Sequence, residues 1–456
     1  MMQHPEFHHA LTFNRETCVG CSHCMKVCPT EAIRVMEGKA SLMPNRCVDC
    51  GECYRVCPVD AIGVEQDDFA MIYQFRHRVA LVPGVLLGQL SDEIITRQIY
   101  SVLMEMGFTH ICEVETGAEV LRKAMQSYIN EHQENKPLIS AFCPAVVRLI
   151  QVKFPSLVHN IITMKPPLDI AGLYIRDRLI NEGAKPEEIG LFYFTPCAAK
   201  IAAVKSPVGE QKSVVDGVIN MDFAYNKLLT TAKQSKSAMC PVPEDPQLSP
   251  EAILWSLTTG ESNVMEGRSL AIDGINNVMA FLEELEDEEV SNIDFLELRA
   301  CDESCAGGIL TSTNRFLTAE SMRRRAQQAE QSTDHNIEKL PEEHILAKYH
   351  SLKDQLTVDK VSPRSMLKLD ENIQGALEKM QRVNELMEIL PYVDCGICGS
   401  PTCQSLAEDI VREEAELERC IFIQRILEQK GTFTAEESAE VMKKIWGENK
   451  LNKEIK

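Results

Sequence analysis

Sixteen of the eighteen cysteines in this chain of 456 residues fall into four groups with the spacing or setting of iron–sulfur ligands. Cys18, Cys21, Cys24 and Cys28 precede Pro29 in the arrangement C-x2-C-x2-C-x3-C-P. The arrangement recurs 29 residues on, at Cys47, Cys50, Cys53, Cys57 and Pro58. In such a run a tight loop turns three thiolates onto one cubane, while the fourth, beside proline, reaches across to the other. The expected quartets are therefore Cys18, Cys21, Cys24 and Cys57 for one [4Fe-4S] cluster, and Cys47, Cys50, Cys53 and Cys28 for its neighbour. Both runs lead into one phrase, Pro-Thr-Glu-Ala-Ile and Pro-Val-Asp-Ala-Ile, which predicts two βαβ-like halves related by a pseudo-two-fold axis. The chemistry is electron transfer; zinc is the competing use of such thiols.

A third group is compact but less regular: Cys395, Cys398, Cys403 and Cys420, in C-x2-C-x4-C-x16-C. A straight helix would hold the last two roughly 25 Å apart at about 1.5 Å per residue. No single cubane spans that, so the chain must reverse between them. Zinc is again the alternative. The fourth group, Cys143, Cys197, Cys301 and Cys305, spreads over more than 160 residues and needs a folded domain to assemble it.

The elements that would assemble it begin near residue 75. Apolar strands (Val79–Leu87, Thr109–Val114) alternate with amphipathic helices (Glu93–Met106, Ala118–His132), which predicts an α/β domain with a mostly parallel sheet covered on both faces. Three later strands run into the scattered cysteines. Residues 137–142 lead to Cys143-Pro144 and a helix Ala145–Lys153, residues 189–194 to Thr195-Pro196-Cys197, and residues 295–298 to Cys301. The carboxyl ends of such strands meet at one crevice. Cys112 lies within a buried strand and Cys240 before a proline-rich loop, so neither is expected to be a ligand. Residues 316–366 are expected to give a covering helix and a linker, with Arg323–Arg325 on a solvated face, and Leu369–Ile389 an amphipathic helix leading to Cys395.

Composition sets the boundaries. Apolar content of 44% and charged content of 25% are those of a globular protein, and the length suggests about three domains. They are expected at residues 1–72, 73–366 and 367–456. A net charge of −21 argues against nucleic acid or an anionic membrane as partner. The absence of a long apolar stretch or signal sequence leads us to expect no membrane insertion and a cytoplasmic location, where clustered thiols read as metal ligands. His4, His8 and His9 are expected in a disordered leader rather than a metal site.

The N-terminal repeat is that of the bacterial two-cluster ferredoxin module. Beyond it, Cys143-Pro144 after a strand, Thr195-Pro196-Cys197-x-x-Lys200, and Ala300-Cys301-x-x-x-Cys305-x-Gly307-Gly308, in that order, resemble the three signatures of the iron-only ([FeFe]) hydrogenase large subunit. The stretch from Gly107 to Glu119, and Gly274-Ile-Asn-Asn-Val leading to Asp294-Phe-Leu-Glu-Leu, are also similar. The likeness covers about residues 1–320. It implies that Cys143, Cys197, Cys301 and Cys305 hold a [4Fe-4S] cubane and that Cys305 also bridges to a diiron unit bearing CO and CN−. It further implies that the Lys200 ammonium hydrogen-bonds a cyanide, and that Gly307 and Gly308 let backbone approach the inorganic core. Cys305 and Lys200 are thus the candidate catalytic residues.

The chain departs from that pattern where proton delivery matters. Phe142 stands where efficient hydrogenases carry a proton-relaying cysteine, Thr195 and Arg299 where methionines are usual, and Ala203 where a glutamate is expected. Arg299 brings a permanent charge toward the pocket. The C-terminal motif resembles a small [4Fe-4S] domain of bifunctional electron-transport and corrinoid proteins, also found at the end of the sensory-type hydrogenase group. In those domains a glycine marks the chain reversal, a place Glu413 takes here. Sensory-type relatives continue into signalling domains, whereas this chain ends 36 residues after Cys420, so a sensor's output would lie on another polypeptide.

Four [4Fe-4S] clusters, with a diiron unit at Cys305, are expected. The first functional expectation is an [FeFe]-hydrogenase-like oxidoreductase that binds or slowly converts H2 and protons, with electrons relayed through the other clusters. The second is an electron-transfer subunit of a larger redox complex with a cubane alone at the dispersed site. Redox partner proteins are expected in both. A third, a cluster-assembly factor, fits poorly with two complete ferredoxin motifs.

Overall fold

A computed structural model describes residues 7–90, 96–234, 248–287, 290, 292–331, 352–364, 369 and 372–451. The chain divides into two compact units. One comprises Met1–Ala10 and Glu65–Pro363, the other Leu11–Val64 and Arg364–Lys456. The smaller unit thus joins segments from opposite parts of the sequence.

In that smaller unit, β1 (Leu11–Phe13) pairs antiparallel with β4 (Ile62–Val64), so the outer strands of the two ferredoxin halves close on each other. β2 (Ile33–Met36) and β3 (Lys39–Leu42) form a second antiparallel pair. The 29-residue repeat is written in the backbone. Gly20 and Asp49, Ser22 and Gly51, and Glu31 and Asp60 all have positive φ, each pair one repeat apart. The helices Ile373–Ile389, Cys403–Val411, Ile421–Gln429 and Ala435–Trp446 complete the unit. They are tied to the ferredoxin halves by backbone and by charge. The Val35 amide donates to Gly399 O at 2.8 Å, and the amides of Glu37 and Gly38 donate to Lys444 O and Ile445 O at 2.9 Å each. Buried Arg34 grips Asp409 through Nε–Oδ2 at 2.6 Å and a second nitrogen to Oδ1 at 3.0 Å, while buried Arg46 pairs with Glu408.

The larger unit is mixed α/β, and its strands are parallel as the alternation predicts, but they form two sheets rather than one. β5 (His77–Val82), β6 (His110–Glu113), β8 (Ile189–Thr195) and β9 (Gly217–Asn220) lie in the order β6-β5-β8-β9. β7 (Leu138–Ile139), β10 (Ser269–Asp273) and β11 (Phe295–Arg299) form the second sheet, in the order β10-β11-β7. The strand expected over 137–142 shrinks to two ladder residues. Past Ile139 the Ser140 hydroxyl donates to Glu261 and accepts from the Phe142 amide, which turns the chain out of the ladder. All seven residues of β8 are buried, as a central parallel strand requires.

Other expectations need adjustment. The strand expected over Val79–Leu87 stops at Val82, because Pro83 starts a helical turn, Gly84–Leu87. Arg325 is not on a solvated face. The helix Arg315–Gln331 turns it inward to a bidentate pair with Glu113 at 2.7 and 2.9 Å, while Arg323 and Arg324 pair at the surface. His8 does not belong to a loose leader either: it pairs with Glu65, and the Arg148 guanidinium donates to its carbonyl at 3.2 Å. His4 and Cys240 lie outside the described residues, and Cys112 is buried in β6 as expected. Among the described residues no helix is long and apolar enough to cross a membrane.

Candidate metal centres

Four sets of thiols are gathered by this fold. In the ferredoxin halves, Cys18, Cys21, Cys24 and Cys57 line one cavity of about 420 Å³. Cys28 instead faces Cys47, Cys50 and Cys53 closely enough to perturb their ionisation. The fourth cysteine of each run has therefore crossed to the other half. Equivalent amides point at equivalent sulfurs: Gly20 N to Cys18 Sγ at 3.5 Å and Asp49 N to Cys47 Sγ at 3.4 Å, Ala32 N to Cys28 Sγ and Ala61 N to Cys57 Sγ at 3.2 Å each. Amide dipoles aimed at sulfur favour a negatively charged thiolate–iron core.

Without metal the thiols of Cys24, Cys47, Cys50 and Cys53 resist ionisation. Burial, then neighbouring Cys21 and Cys18, pushes the Cys24 thiol up to about 12, and burial with nearby Cys28 raises Cys50 further. Gathering four buried thiolates is costly unless a cation is held among them, and bound metal inverts that balance by stabilising the deprotonated form.

Cys143, Cys197 and Cys305 converge at the carboxyl ends of the parallel strands. Cys143 follows β7, Cys197 follows β8, and Cys301 and Cys305 follow β11. Cys197 is pushed up to about 12 by burial; the nearby Lys200 ammonium lowers it, and Cys305 and Cys143 raise it. Cys301 lies on the same loop as Cys305, its carbonyl accepting from Ser304 N at 3.0 Å. Two glycines make the assembly compact. A Cβ on Gly307 would stand 1.9 Å from Asp302 O, and one on Gly308 would stand 2.5 Å from Pro196 O. The close approach they permit is thus to protein backbone, pressing the Cys305 loop onto the turn before Cys197.

Cys305 and Lys200 line a cavity of about 700 Å³ with Phe142, Glu115, Ser256, Trp255 and a wall of prolines. Lys200 Nζ donates to Cys305 Sγ at 3.2 Å. Burial alone would pull this lysine down, but Cys305, Tyr193 and Cys197 hold it well above its ordinary value, so it is a fixed cation beside the sulfur. The Phe142 ring lies between two cations, with the Arg299 guanidinium 3.8 Å and Lys200 Nζ 4.7 Å from its centroid.

The charge of Arg299 is matched, a point the sequence reading missed. Glu261 lies at 2.9 Å and Glu297 at 3.3 Å, all three side chains buried. Glu261 also accepts from Ser140 at 2.6 Å, and Glu297 accepts from the Glu261 amide at 3.0 Å. The alternation of Glu297 and Arg299 along β11 was the available signal, since both point to one side of a buried strand. Glu115 was passed over as well. It is buried in the cavity wall, its two oxygens accept from Gly84 N at 2.9 Å, and burial followed by nearby Glu113 pushes it up to about 7.

The C-terminal cysteines also meet. Cys398 is pushed up to about 11 by burial, with Cys420, Cys395 and Cys403 all contributing. The required reversal is at Glu413, whose φ is +64°. Glu413 N donates to Ile410 O at 3.0 Å and Glu414 N to Asp409 O at 2.8 Å, the paired bonds of a Schellman ending. Cys398, Cys403 and Cys420 share a core with Val383, Leu386, Leu406 and Ile423.

Comparison with known proteins divides the chain along the same lines. Residues 77–266 match the iron only hydrogenase large subunit, C-terminal domain, a stretch that holds Cys143, Cys197 and Lys200 but stops before Cys301 and Cys305. Residues 10–58 match a 4Fe-4S dicluster domain, and residues 390–422 match the FeS family of Fe-S cluster segments. Among curated proteins the chain is 26% identical to iron hydrogenase 1 of Clostridium pasteurianum over 176 residues, 36% of this chain and 29% of the relative. It is 22% identical to a cytosolic Fe-S cluster assembly factor of Candida dubliniensis over 166 residues, 36% of this chain and 28% of the relative. The matched stretch thus spans less than a third of either relative. An [FeFe]-hydrogenase variant from Chlamydomonas reinhardtii superposes with a TM-score of 0.48 at 14% identity, covering 65% of this chain and 98% of that structure.

Proposed function

We propose that this divergent, hydrogenase-like iron–sulfur protein is an oxidoreductase that binds or slowly converts H2 and protons at the dispersed-cysteine site. Cys143, Cys197, Cys301 and Cys305 would hold a [4Fe-4S] cluster there, and Cys305 would also hold a diiron unit. Cys18, Cys21, Cys24 and Cys57, and Cys47, Cys50, Cys53 and Cys28, would hold the two clusters that supply electron relay, and Cys395, Cys398, Cys403 and Cys420 would hold a fourth. The observation that carries this reading is a fixed cation, Lys200, donating to the sulfur of Cys305 at the wall of a cavity of about 700 Å³. A cavity beside Cys305 and a buried cation for anionic ligands both suit a diiron unit bearing CO and CN−.

Such a unit, when bound, supplies the metal centre at which H2 is taken up or released. The chain's own residues set the pace around it. Lys200 orients and neutralises. Phe142 carries no exchangeable proton, so the position nearest Cys143 cannot pass one to or from the cavity. The prolines and Trp255 exclude water. A positioned proton carrier typically contributes a factor of about 10²–10⁴ in rate, so its absence from Phe142 fits slow turnover or sensing better than high flux.

The second reading, an electron-transfer subunit with a cubane alone at this site, is favoured by the same Phe142, wedged between Arg299 and Lys200 where a relay would stand. Infrared spectroscopy of anaerobically purified, fully matured protein separates the two. We expect CO and CN− stretching bands, with iron roughly two atoms above the sixteen or so of four cubanes. Absence of the bands after competent maturation removes the diiron unit and leaves the second reading.

A further inference from the structure

We infer that the C-terminal four-cysteine site is seated against the Cys18, Cys21, Cys24 and Cys57 site, and that Met25 is the contact between them, making the two one continuous electron relay. The inference rests on both quartets holding [4Fe-4S] clusters, as proposed above.

The seating is geometric. Met25 directly follows Cys24 on a short helix and is 1% exposed. Its methyl group lies 2.9 Å from where a Cβ on Gly396 would stand, and Gly396 directly follows Cys395. Gly396 holds φ at +73°, and a side chain there would drive Met25 away. One buried thioether therefore fills the gap between the residue after Cys24 and the residue after Cys395. A second contact lies alongside: Val35, which lines the cavity of Cys18, Cys21, Cys24 and Cys57, donates its amide to the carbonyl of Gly399, the residue after Cys398. A Cβ on Gly399 would stand 2.3 Å from Val35 O, so nothing larger than glycine fits. The other ferredoxin quartet is joined through side chains. Glu31, three residues after Cys28, accepts from the Thr402 hydroxyl at 3.2 Å, and Arg46, the residue before Cys47, pairs with Glu408, five residues after Cys403.

The clamp that holds this register is charged and buried. Asp409 accepts twice from Arg34 and once, at 2.8 Å, from the Ser400 hydroxyl, so it fixes both β2 and the Cys395–Cys403 loop. Arg34 and Asp409 are positioning residues. No bond forms or breaks in the step they serve: one electron leaves the reduced cluster of one site and arrives at the oxidised cluster of the other. Dithionite is the external donor in the test.

The test is electron paramagnetic resonance on reconstituted, dithionite-reduced full-length protein, with iron analysis alongside. In wild type we expect splitting or accelerated relaxation beyond that of the two ferredoxin clusters. A Cys395→Ala, Cys398→Ala variant should lose about four irons together with that extra interaction. Cys21→Ala should likewise abolish the interaction involving the C-terminal cluster, whereas Cys50→Ala should retain it. A wild-type spectrum that is the plain sum of isolated clusters overturns the inference, and so does an interaction that survives Cys21→Ala but not Cys50→Ala. Unchanged iron in the Cys395→Ala, Cys398→Ala variant would remove the cluster assignment itself. None of these results bears on CO and CN− bands at Cys305, so the two proposals fail separately.

Discussion

Phe142 separates two explanations for slow chemistry, a missing thiol and a blocked cavity. Its ring lies against Arg299, yet Arg299 is anchored from its other side by Glu261 and Glu297 and does not need the ring to stay in place. Phe142→Cys should therefore leave the charge cluster intact while adding an exchangeable proton. We expect H2 evolution by matured protein to rise roughly a hundredfold, the lower side of what a positioned proton carrier contributes; gas chromatography of the headspace measures it, and no rise would place the limit elsewhere. Glu115 offers a prediction in pH. Its folded value near 7 exceeds the ordinary 4.5, so the folded state holds its proton more tightly than the unfolded chain does. The stability it contributes is complete below about pH 4.5 and is lost as pH climbs through 7. Glu115→Gln escapes that loss, so its stability relative to wild type should improve by about 3 kcal/mol between pH 4.5 and 8, read from denaturant midpoints. The compact cysteine runs were visible in the sequence because their spacing is local, whereas the dispersed cysteines and Lys200 were visible only through the resemblance of three short motifs. Arg299 looked like an unmatched charge because Glu261 is 38 residues away and is joined to it only by folding.

Elements carry the repeat and the turns. The 29-residue offset foretold equivalent loops, and the paired amide-to-sulfur bonds follow from it residue by residue. A cubane's width forbids a straight helix, so a reversal before Cys420 followed from length alone, and the resemblance to the small [4Fe-4S] domain placed it at Glu413. A glutamate in left-handed backbone costs about 1 kcal/mol more than glycine would, so Glu413→Gly should stabilise the protein by about that amount in thermal unfolding with no loss of iron. A fall in stability would mean that the Glu413 side chain matters more than its backbone. Strand ends were less legible than strand centres. The end of β7 depends on which partner the Ser140 hydroxyl takes, and the end of β5 on a proline that suits either a turn or a helix start. The division into two parallel sheets left no local mark, since each strand reads alike in either.

At the scale of the molecule, the joining of residues 11–64 with residues 364–456 was invisible in the sequence. It is built from Arg34 with Asp409 and Arg46 with Glu408, contacts across 375 and 362 residues that no periodicity announces. Removing residues 364–456 should strip Arg34 of Asp409, Arg46 of Glu408 and the Val35 amide of the Gly399 carbonyl. We expect the visible iron–sulfur absorption of the ferredoxin halves to bleach roughly tenfold faster in air, a difference of about 1.4 kcal/mol in protection; equal bleaching would mean those halves stand alone. The same joining sets a timetable for biosynthesis. A ribosome adding about 5–20 residues each second needs roughly 15–60 s to travel from Val64 to Arg364. During that interval the eight thiols of the ferredoxin halves are already made while the segment that buries Arg34 and Arg46 does not yet exist, which leaves a window in which iron can be loaded before that cover is translated.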